Sequence, residues 1–350
     1  VMEGKALLFK YLGGVDAFPI PIRAKDPNAI IETVQRLEPA LGGINLEDIA
    51  SPKCFQILDE LQRTLAIPVW HDDQLGTAAA TVAGLINALE LTGRELRGTR
   101  IVLYGAGAAN VAAERLLVEA GADPRDILVV DSKGILHPER EDIDQLMLKN
   151  KWKYEIAIRT NGDRLRGTLK DALKGADALV AAARQGPDAV RRDEVAVMNK
   201  RGIAFFLANP VPEMLPAAAH SAGVEVVATG RSDFPNQVNN SLLFPAIFRG
   251  ALDVRAKTIT DPMVIEAAKE LAAFAKEKGI SRDYILPTMV QWEVYPRVAT
   301  KVGQAAIREG VARRNLSASE SMQAAMATIE RSRKVMNALR NGGVILDPPE

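Results

Sequence analysis

The chain has 350 residues, and its 47% apolar and 25% charged residues are ordinary for a globular protein with two domains. Its 44 Lys and Arg residues balance its 44 Asp and Glu residues, which excludes a global field that would attract nucleic acid or an anionic membrane. With one cysteine, no long apolar stretch and no signal peptide, the chain is expected to be cytoplasmic, without a disulfide bond or a membrane span. We expect the thiol of Cys54 to be packed rather than to act as a nucleophile.

Short apolar runs alternate with helical patterns through the middle of the chain. Strands are predicted at residues 100–104, 127–130, 177–182, 203–207 and 224–228. Helices are predicted at residues 77–91, 111–120, 168–174, 190–199 and 213–222. This alternation is typical of an α/β fold with a doubly wound parallel sheet of the Rossmann type, in which ligands bind at the carboxyl ends of the strands.

Longer amphipathic helices follow after residue 250. They are predicted at residues 261–279, 297–312 and 317–341. Ser317 and Glu320 have the spacing of a capping box at the start of the last helix. We interpret this helix as a packing or subunit-contact element rather than as part of a ligand site.

A glycine-rich loop, Gly105–Ala109, follows the first strand of the predicted sheet. Gly105 and Gly107 permit a tight turn and a close approach of the backbone to a pyrophosphate, and the next helix offers free N–H groups. A strand before the loop and a helix after it are the context that a dinucleotide-binding fingerprint requires. Asn110 takes the third small position, where we expect it to loosen helix–strand packing or to direct its side chain toward the phosphates.

The acidic residue that the fingerprint requires is Asp131, at the end of the second strand of the sheet. Its carboxylate suits the ribose hydroxyls of NAD and would repel a 2′-phosphate, which favours NAD. Ser132 and Lys133 could instead hold that phosphate, so NADP remains an alternative.

Two acidic pairs precede the glycine-rich loop. Glu47-Asp48 ends a probable short strand, and Asp72-Asp73 lies just before a helix. Carboxylate oxygens suit a hard divalent cation, whereas a helix N-cap would explain one of the acidic residues equally well. Beside them, we expect His71 to be a hydrogen-bonded structural imidazole rather than a ligand. Lys5 lies among apolar residues and could be a general base or a surface lysine.

Long motifs together resemble the short microbial malic enzymes, in order from residue 1 to about residue 312. They lie at residues 2–10, 44–49, 71–74, 105–109, 131–134, 208–213, 228–240 and 248–258. The resemblance implies oxidative decarboxylation of (S)-malate to pyruvate and CO₂ with NAD or NADP and with Mg²⁺ or Mn²⁺.

The resemblance also implies roles for individual residues. Lys5 is expected to be the general base, oriented by Asp72, and the expected metal ligands are Glu47, Asp48 and Asp73. Asn209, Asn239 and Asn240 are expected to line the pocket for the substrate and the nicotinamide. The expected cofactor-binding residues are Gly105, Ala106, Gly107, Ala108, Ala109, Asp131 and Asn209.

The sequence departs from the family pattern at several places. The final proton donor of the family is a tyrosine upstream of the lysine motif, in a segment that this sequence is expected to lack. Leu75 replaces a histidine, and residues 182–186 form a larger loop in which Arg184 could alter the contacts to the cofactor phosphates. A catalytically impaired subunit that binds nucleotide or malate therefore remains an alternative, as does a metal-free oxidoreductase similar to amino-acid dehydrogenases.

We expect a discontinuous arrangement of two domains with the active site between them. Residues 1–72 and 239–350 would form the domain for substrate and metal, and residues 73–238 the dinucleotide-binding domain. The family resemblance also suggests a homodimer or a higher homo-oligomer.

Overall fold

A computed structural model of the chain describes residues 1–345. The strands are β1 (Ile44–Leu46), β2 (Val69–His71), β3 (Ile101–Tyr104), β4 (Ile127–Asp131), β5 (Gly134–Ile135), β6 (Ala178–Ala181), β7 (Gly202–Phe206) and β8 (Val224–Thr229). The helices of the first half are α1 (Met2–Gly13), α2 (Pro27–Leu37), α3 (Lys53–Thr64), α4 (Thr77–Leu91), α5 (Ala108–Glu119), α6 (Ile143–Lys149) and α7 (Lys151–Arg159). The helices of the second half are α8 (Leu169–Leu173), α9 (Arg192–Val195), α10 (Pro216–Ser221), α11 (Phe244–Asp253), α12 (Asp261–Lys278), α13 (Val294–Arg308) and α14 (Ala318–Asn341).

The large sheet confirms the predicted α/β class and doubly wound topology. Its strand order is β5-β4-β3-β6-β7-β8, with every pair parallel except the short antiparallel β4–β5 pair. The five predicted strands are all present and almost entirely buried, as expected for a sheet covered on both faces. The helix expected at residues 190–199 is wrong in length, because α9 ends at Val195 and the backbone N–H of Asn199 turns to Ala176.

The small parallel sheet of β1 and β2 aligns the two acidic pairs. Leu46 lies opposite His71 in the register of this sheet. Glu47 and Asp72 are the next residues along the two strands. Both acidic pairs therefore follow the carboxyl ends of these parallel strands and lie on the same side of the sheet.

The remaining helices form a layer around the N-terminal helix. α1 packs against α11 and α14, α11 packs against α13, and α12 packs against α13 and α4. The ring of Phe9 on α1 lies 4.6 Å from that of Phe244 and 5.1 Å from that of Phe248. All three rings are buried, and such aromatic contacts stabilise the packing of α1 on α11.

The C-terminal helices agree with the expected pattern, with one correction. The capping box of α14 is confirmed, since the Glu320 side chain accepts from the Ser317 N–H at 2.8 Å and the Ser317 hydroxyl accepts from the Glu320 N–H at 3.2 Å. α13 spans 294–308 rather than 297–312. Pro296 is tolerated in its first turn because no intrahelical partner exists there for the missing N–H.

Among residues 1–345, no helix combines the length and apolarity that crossing a bilayer requires. Residues 346–350 of the expected 239–350 segment lie outside the described residues.

Candidate active site

The acidic cluster consists of Glu47, Asp48 and Asp73, which meet at the edge of the small sheet. One carboxylate oxygen from each of these residues lies within 4.8 Å of those of the other two. Asp48 has a left-handed backbone with φ of 56°, which Asp tolerates, and its N–H donates to Asp73 Oδ2 at 2.9 Å. The turn therefore joins the two acidic pairs directly.

Lys5 approaches this cluster from α1. Its ammonium is hydrogen-bonded to Asp72 Oδ2, and Glu47 Oε1 lies 3.4 Å from Lys5 Nζ. Trp70 Nε1 donates to the other Asp72 oxygen at 2.9 Å, and Lys5 Nζ lies 4.5 Å from the centre of the Phe244 ring. The Asp72 side chain is fully buried, and both of its carboxylate oxygens have hydrogen-bond donors.

Burial and the neighbouring negative charges both raise the pKa values of Glu47 and Asp72. Burial raises the pKa of Glu47 to about 7, with Asp72 adding to the effect and Lys5 opposing it. Burial also raises the pKa of Asp72, and Lys5 and the Trp70 N–H oppose this shift. Clustered carboxylates in a low-dielectric site are unfavourable without enough positive charge nearby.

The donor chemistry of the acidic cluster fits a hard divalent cation. Its three residues offer carboxylate oxygens only, which are the ligands that Mg²⁺ and Mn²⁺ prefer. A cavity of about 510 Å³ adjoins Lys5, Glu47 and Asp48, and its other walls are largely apolar. The amine and two of the three carboxylates of the cluster therefore border one cavity.

Asp72–Gly76 forms a π-helical turn that leads from β2 into α4. A Cβ at Gly76 would overlap with Asp72 Oδ1 and would stand 2.8 Å from the Cβ of Asn240. The turn also packs against α5, the helix that follows the glycine-rich loop. Isolated π-turns are frequent at functional sites, and this one places Asp72 and Asn240 side by side.

The expected asparagines do not all meet at this turn. Asn240 touches it, but the Asn239 side chain accepts from the Ser241 N–H at 2.9 Å and so caps the short helical turn Asn240–Leu242. Asn209 is exposed in the loop after β7, and its Nδ2 would stand 2.7 Å from a Cβ at Gly230. The structure therefore places Asn209 at the carboxyl edge of the large sheet.

His71 differs from its expected hydrogen-bonded state. The imidazole is fully buried, and neither ring nitrogen has a hydrogen-bond partner within the described part of the chain. Burial lowers the pKa of His71, which favours the neutral ring. This burial agrees with the expected structural role of His71. The prediction that its ring is hydrogen-bonded is wrong.

The glycine-rich loop has the shape of a phosphate cradle. Gly105 has φ of 100°, and a Cβ there would overlap with the carbonyl oxygen of Ala182. A Cβ at Gly107 would meet no atom within 4 Å, so open space remains beside the backbone at the start of α5. Free N–H groups and the positive end of the helix dipole face this space, and both suit a pyrophosphate.

Asn110 corrects the expectation for the third small position. Its Nδ2 donates to the carbonyls of Tyr104 and Gly105 at 2.9 Å each and to that of Val180 at 3.4 Å. The side chain is buried and points into the sheet, so it braces the loop rather than loosening the packing or reaching the phosphates.

Asp131 lies at the carboxyl end of β4, beside the loop, and is surrounded by positive charge. It pairs with Lys153, accepts from Arg140 Nη1 at 3.0 Å and accepts from the Lys133 N–H at 2.8 Å. Burial alone would raise the pKa of Asp131. The hydrogen bonds from Lys153 and from the Lys133 backbone outweigh burial and hold this pKa below its usual value. The Lys133 side chain pairs with Asp142 at 2.8 Å.

Sequence reasoning missed several of these contacts. Trp70, Gly76, Arg140 and Lys153 were not predicted, because apolar or charged residues in such positions carry no distinctive local pattern. Glu213 lies within a motif of the family resemblance, yet its role becomes visible only in the fold. It is fully buried and accepts from the N–H groups of Ala183 at 2.8 Å and Ala208 at 3.1 Å.

The doubly wound sheet with its phosphate cradle defines a dinucleotide-binding protein of the α/β class, and the comparisons identify its family. The model for the malic enzyme N-terminal domain matches residues 1–62, and the model for the malic enzyme NAD-binding domain matches residues 75–307. The chain belongs to the malic enzyme family, which confirms the resemblance read from the motifs.

Curated relatives agree with this assignment. The bifunctional malic/malolactic enzyme of Bacillus subtilis is 49% identical over 313 residues, which cover 89% of this chain and 74% of the relative. The NAD-dependent malic enzyme of Geobacillus stearothermophilus is 45% identical over 90% of this chain and 64% of its own length. The NADP-dependent malic enzyme of Halomonas elongata is 43% identical over 90% of this chain and 75% of its own length. These relatives support the expected oxidoreductase class and a nicotinamide cofactor.

The fold comparison gives the same family. The crystal structure of the Entamoeba histolytica malic enzyme superposes with a TM-score of 0.96 and 47% sequence identity. The match covers 99% of this chain and 72% of that structure.

Proposed function

We propose that this chain catalyses the divalent-metal-dependent oxidative decarboxylation of (S)-malate to pyruvate and CO₂, with reduction of NAD or NADP. The observation that carries the proposal is the contact of Lys5 with both Asp72 and Glu47, since it joins a candidate base to the acidic cluster. The packing of the π-helical turn on α5 supports a single cleft for both the acidic cluster and the dinucleotide.

Glu47, Asp48 and Asp73 would hold Mg²⁺ or Mn²⁺ through carboxylate oxygens. When bound, such an ion supplies Lewis acidity toward oxygen atoms of a hydroxy acid. The chain itself contributes a proton acceptor at Lys5 Nζ, and Asp72 keeps that atom directed at the cluster through its hydrogen bond. Trp70 donates a hydrogen bond to the Asp72 carboxylate, and the Phe244 ring packs against the amine.

The dinucleotide would lie across the glycine-rich loop. When bound, it supplies the acceptor for a hydride. Gly105, Gly107 and the first turn of α5 would bind its pyrophosphate, and Asp131 its adenosine ribose. Asp131 favours NAD, whereas Arg140, Lys153 and Lys133 around it would also suit a 2′-phosphate, so NADP remains a second candidate cofactor.

We further infer the discontinuous layout, with residues 1–72 and 239–350 forming the substrate domain and residues 73–238 the dinucleotide domain. The packing of α1 against α11 and α14 supports this assignment. A homo-oligomer is proposed from the family alone.

The test is a steady-state assay of NADH or NADPH formation from malate with Mn²⁺, with Mg²⁺ or with a chelator. Pyruvate is measured in parallel, and Mn²⁺ binding is measured by electron paramagnetic resonance. We expect no turnover with the chelator, and we expect Asp73→Asn to lose both Mn²⁺ binding and turnover. Asp144→Asn on α6 is the matched control, since Asp144 is exposed and distant from the cluster in sequence.

Turnover that persists after removal of the metal would contradict the mechanism and would favour the metal-free oxidoreductase. A burst of NADH without pyruvate release would favour the impaired subunit.

A further inference from the structure

The strand order of the large sheet defines a crevice between β3 and β6. The chain proceeds from β3 to β4 and β5 on one side, and from β6 to β7 and β8 on the other. Ligands of doubly wound sheets bind outside the carboxyl ends of the strands where the winding reverses. Here the two flanking loops are Gly105–Ala109 after β3 and residues 182–186 after β6.

These two loops touch each other. A Cβ at Gly105 would overlap with the carbonyl oxygen of Ala182 and would stand 3.1 Å from the Cα of Ala183. The next residue along the second loop is Arg184, which is exposed. Arg184 therefore follows directly after the two residues, Ala182 and Ala183, that approach Gly105 of the phosphate cradle.

The loop that carries Arg184 is fixed on both sides of this residue. The buried carboxylate of Glu213 accepts from the Ala183 N–H at 2.8 Å and from the Ala208 N–H at 3.1 Å, which joins the ends of β6 and β7. The Gly186 N–H donates to the carbonyl of Val211 at 3.4 Å. A guanidinium displayed from such a loop loses less conformational entropy on binding than one on a free segment.

Arg184 is also unusual among the cations at this edge of the sheet. Arg140 and Lys153 pair with Asp131, and Arg231 pairs with Asp233 at 2.6 Å. Over residues 1–345, by contrast, the structure gives Arg184 neither a hydrogen bond nor an ion pair. An unpaired arginine on a loop that touches the phosphate cradle is suited to bind a phosphate oxygen there.

We propose that Arg184 binds the pyrophosphate of the dinucleotide and so contributes affinity without selecting between NAD and NADP. The inference rests on the proposed dinucleotide site and adds a residue to it. The 2′-phosphate of NADP would lie at the end of β4, on the opposite side of β3 from the loop that carries Arg184. Arg184 therefore binds the pyrophosphate, which the two cofactors share. Asp131 lies near the 2′ position of the ribose, where the two cofactors differ.

The test measures binding to the full chain without malate or metal. Dissociation constants of NADH and NADPH are measured by nucleotide fluorescence, and those of ADP-ribose and adenosine by calorimetry, for the wild type, Arg184→Ala and Arg184→Lys. We expect Arg184→Ala to weaken NADH, NADPH and ADP-ribose by the same factor, about tenfold, and to leave adenosine unchanged. The loss should shrink at high salt, and Arg184→Lys should recover part of it.

Arg97→Ala is the matched control. Arg97 is an exposed arginine in the loop before β3, at the amino ends of the strands of the same sheet. Its removal should leave the four dissociation constants unchanged. Equal melting temperatures of the variants would show that the loss is not a folding defect.

The inference is overturned if Arg184→Ala binds ADP-ribose as tightly as the wild type, or if only NADPH is weakened. A raised KM for malate with unchanged dinucleotide affinity would also overturn it and would assign Arg184 to the substrate. Failure of the wild type to bind ADP-ribose would instead contradict the proposed function itself, so the two failures are distinguishable.

Discussion

At the scale of single residues, the candidate base and its partner are the most constrained part of the site. Asp72 receives hydrogen bonds from Lys5 on one oxygen and from Trp70 on the other, and its side chain is fully buried. A neutral amide in its place could keep the bond from Trp70 through its oxygen. It would lose the charge that holds the Lys5 amine.

We therefore expect Asp72→Asn to lower kcat by about 100-fold or more while the dissociation constant of NADH stays within about twofold. Stopped-flow and steady-state assays with malate and Mn²⁺, together with NADH fluorescence titrations, check this expectation. The Asp144→Asn variant serves again as the control. A kcat close to that of the wild type would mean that Asp72 has no part in orienting the base.

Cys54 provides a second residue-scale prediction, based on pH. The thiol is fully buried, and burial raises its pKa to about 11. At pH 8 only about one thiol in a thousand is then a thiolate, compared with about one in four for a thiol of ordinary pKa. The native protein should thus resist iodoacetamide at pH 8, and its alkylation rate should rise about tenfold per pH unit before it levels off near pH 11.

Mass spectrometry of the alkylated protein checks this behaviour. The protein unfolded in guanidinium should take up one equivalent at pH 8, which shows that the reagent is active. Rapid labelling of the folded chain at pH 8 would contradict the packed position.

At the scale of elements, the π-helical turn Asp72–Gly76 depends on a residue without a side chain. A Cβ at Gly76 would overlap with Asp72 Oδ1 and press on Asn240. We expect Gly76→Ala to lower the free energy of unfolding by about 1–3 kcal/mol and to lower kcat at least tenfold, because the buried carboxylate must move. Denaturant unfolding and malate assays measure the two effects.

Gly4→Ala is the matched control, because it lies on α1 one residue before Lys5 and a Cβ there would meet no atom within 4 Å. Gly4 lies in the first turn of α1, where Ala is also a better helix former than Gly, so this variant should be at least as stable as the wild type. If both variants lost activity to the same extent, the close approach at Gly76 would not be the cause.

The elements also show how far sequence reasoning reached. The five apolar runs predicted β3, β4, β6, β7 and β8, because a buried parallel strand needs an unbroken apolar segment. No helix was assigned to residues 2–13, since α1 lacks an N-cap side chain and its pattern is weakly amphipathic. The motifs predict that the carboxylates and Lys5 belong to one site. They do not predict the distances between these side chains, which depend on the fold.

The wrong expectations concern side-chain direction. Asn110 was expected to loosen the packing or reach the phosphates, yet it binds the carbonyl of Val180, which is 70 residues away in sequence. His71 was expected to have a hydrogen bond, but the buried ring has no partner for either nitrogen within residues 1–345. Such directions follow from long-range contacts, which the local sequence does not encode.

At the scale of the whole molecule, the two proposed ligand sites lie on different parts of the chain and are connected by one packing contact. The acidic cluster comes from the ends of β1 and β2, whereas the phosphate cradle follows β3, and the π-helical turn packs on α5 between them. A ligand that binds only the folded state stabilises it by about 2.7 kcal/mol at a free concentration 100 times its dissociation constant. Mn²⁺ and NADH should therefore each raise the melting temperature of the wild type.

The variants should separate the two effects, because each substitution removes a proposed contact to one ligand only. Asp73→Asn should lose the shift caused by Mn²⁺ and keep the shift caused by NADH, and Arg184→Ala should show the reverse pattern at a fixed, subsaturating NADH concentration. Differential scanning fluorimetry with each ligand alone and with both provides the measurement. Equal loss of both shifts in Asp73→Asn would mean that the acidic cluster supports the fold of the cleft as a whole, and the assignment of Asp73 as a metal ligand would then fail.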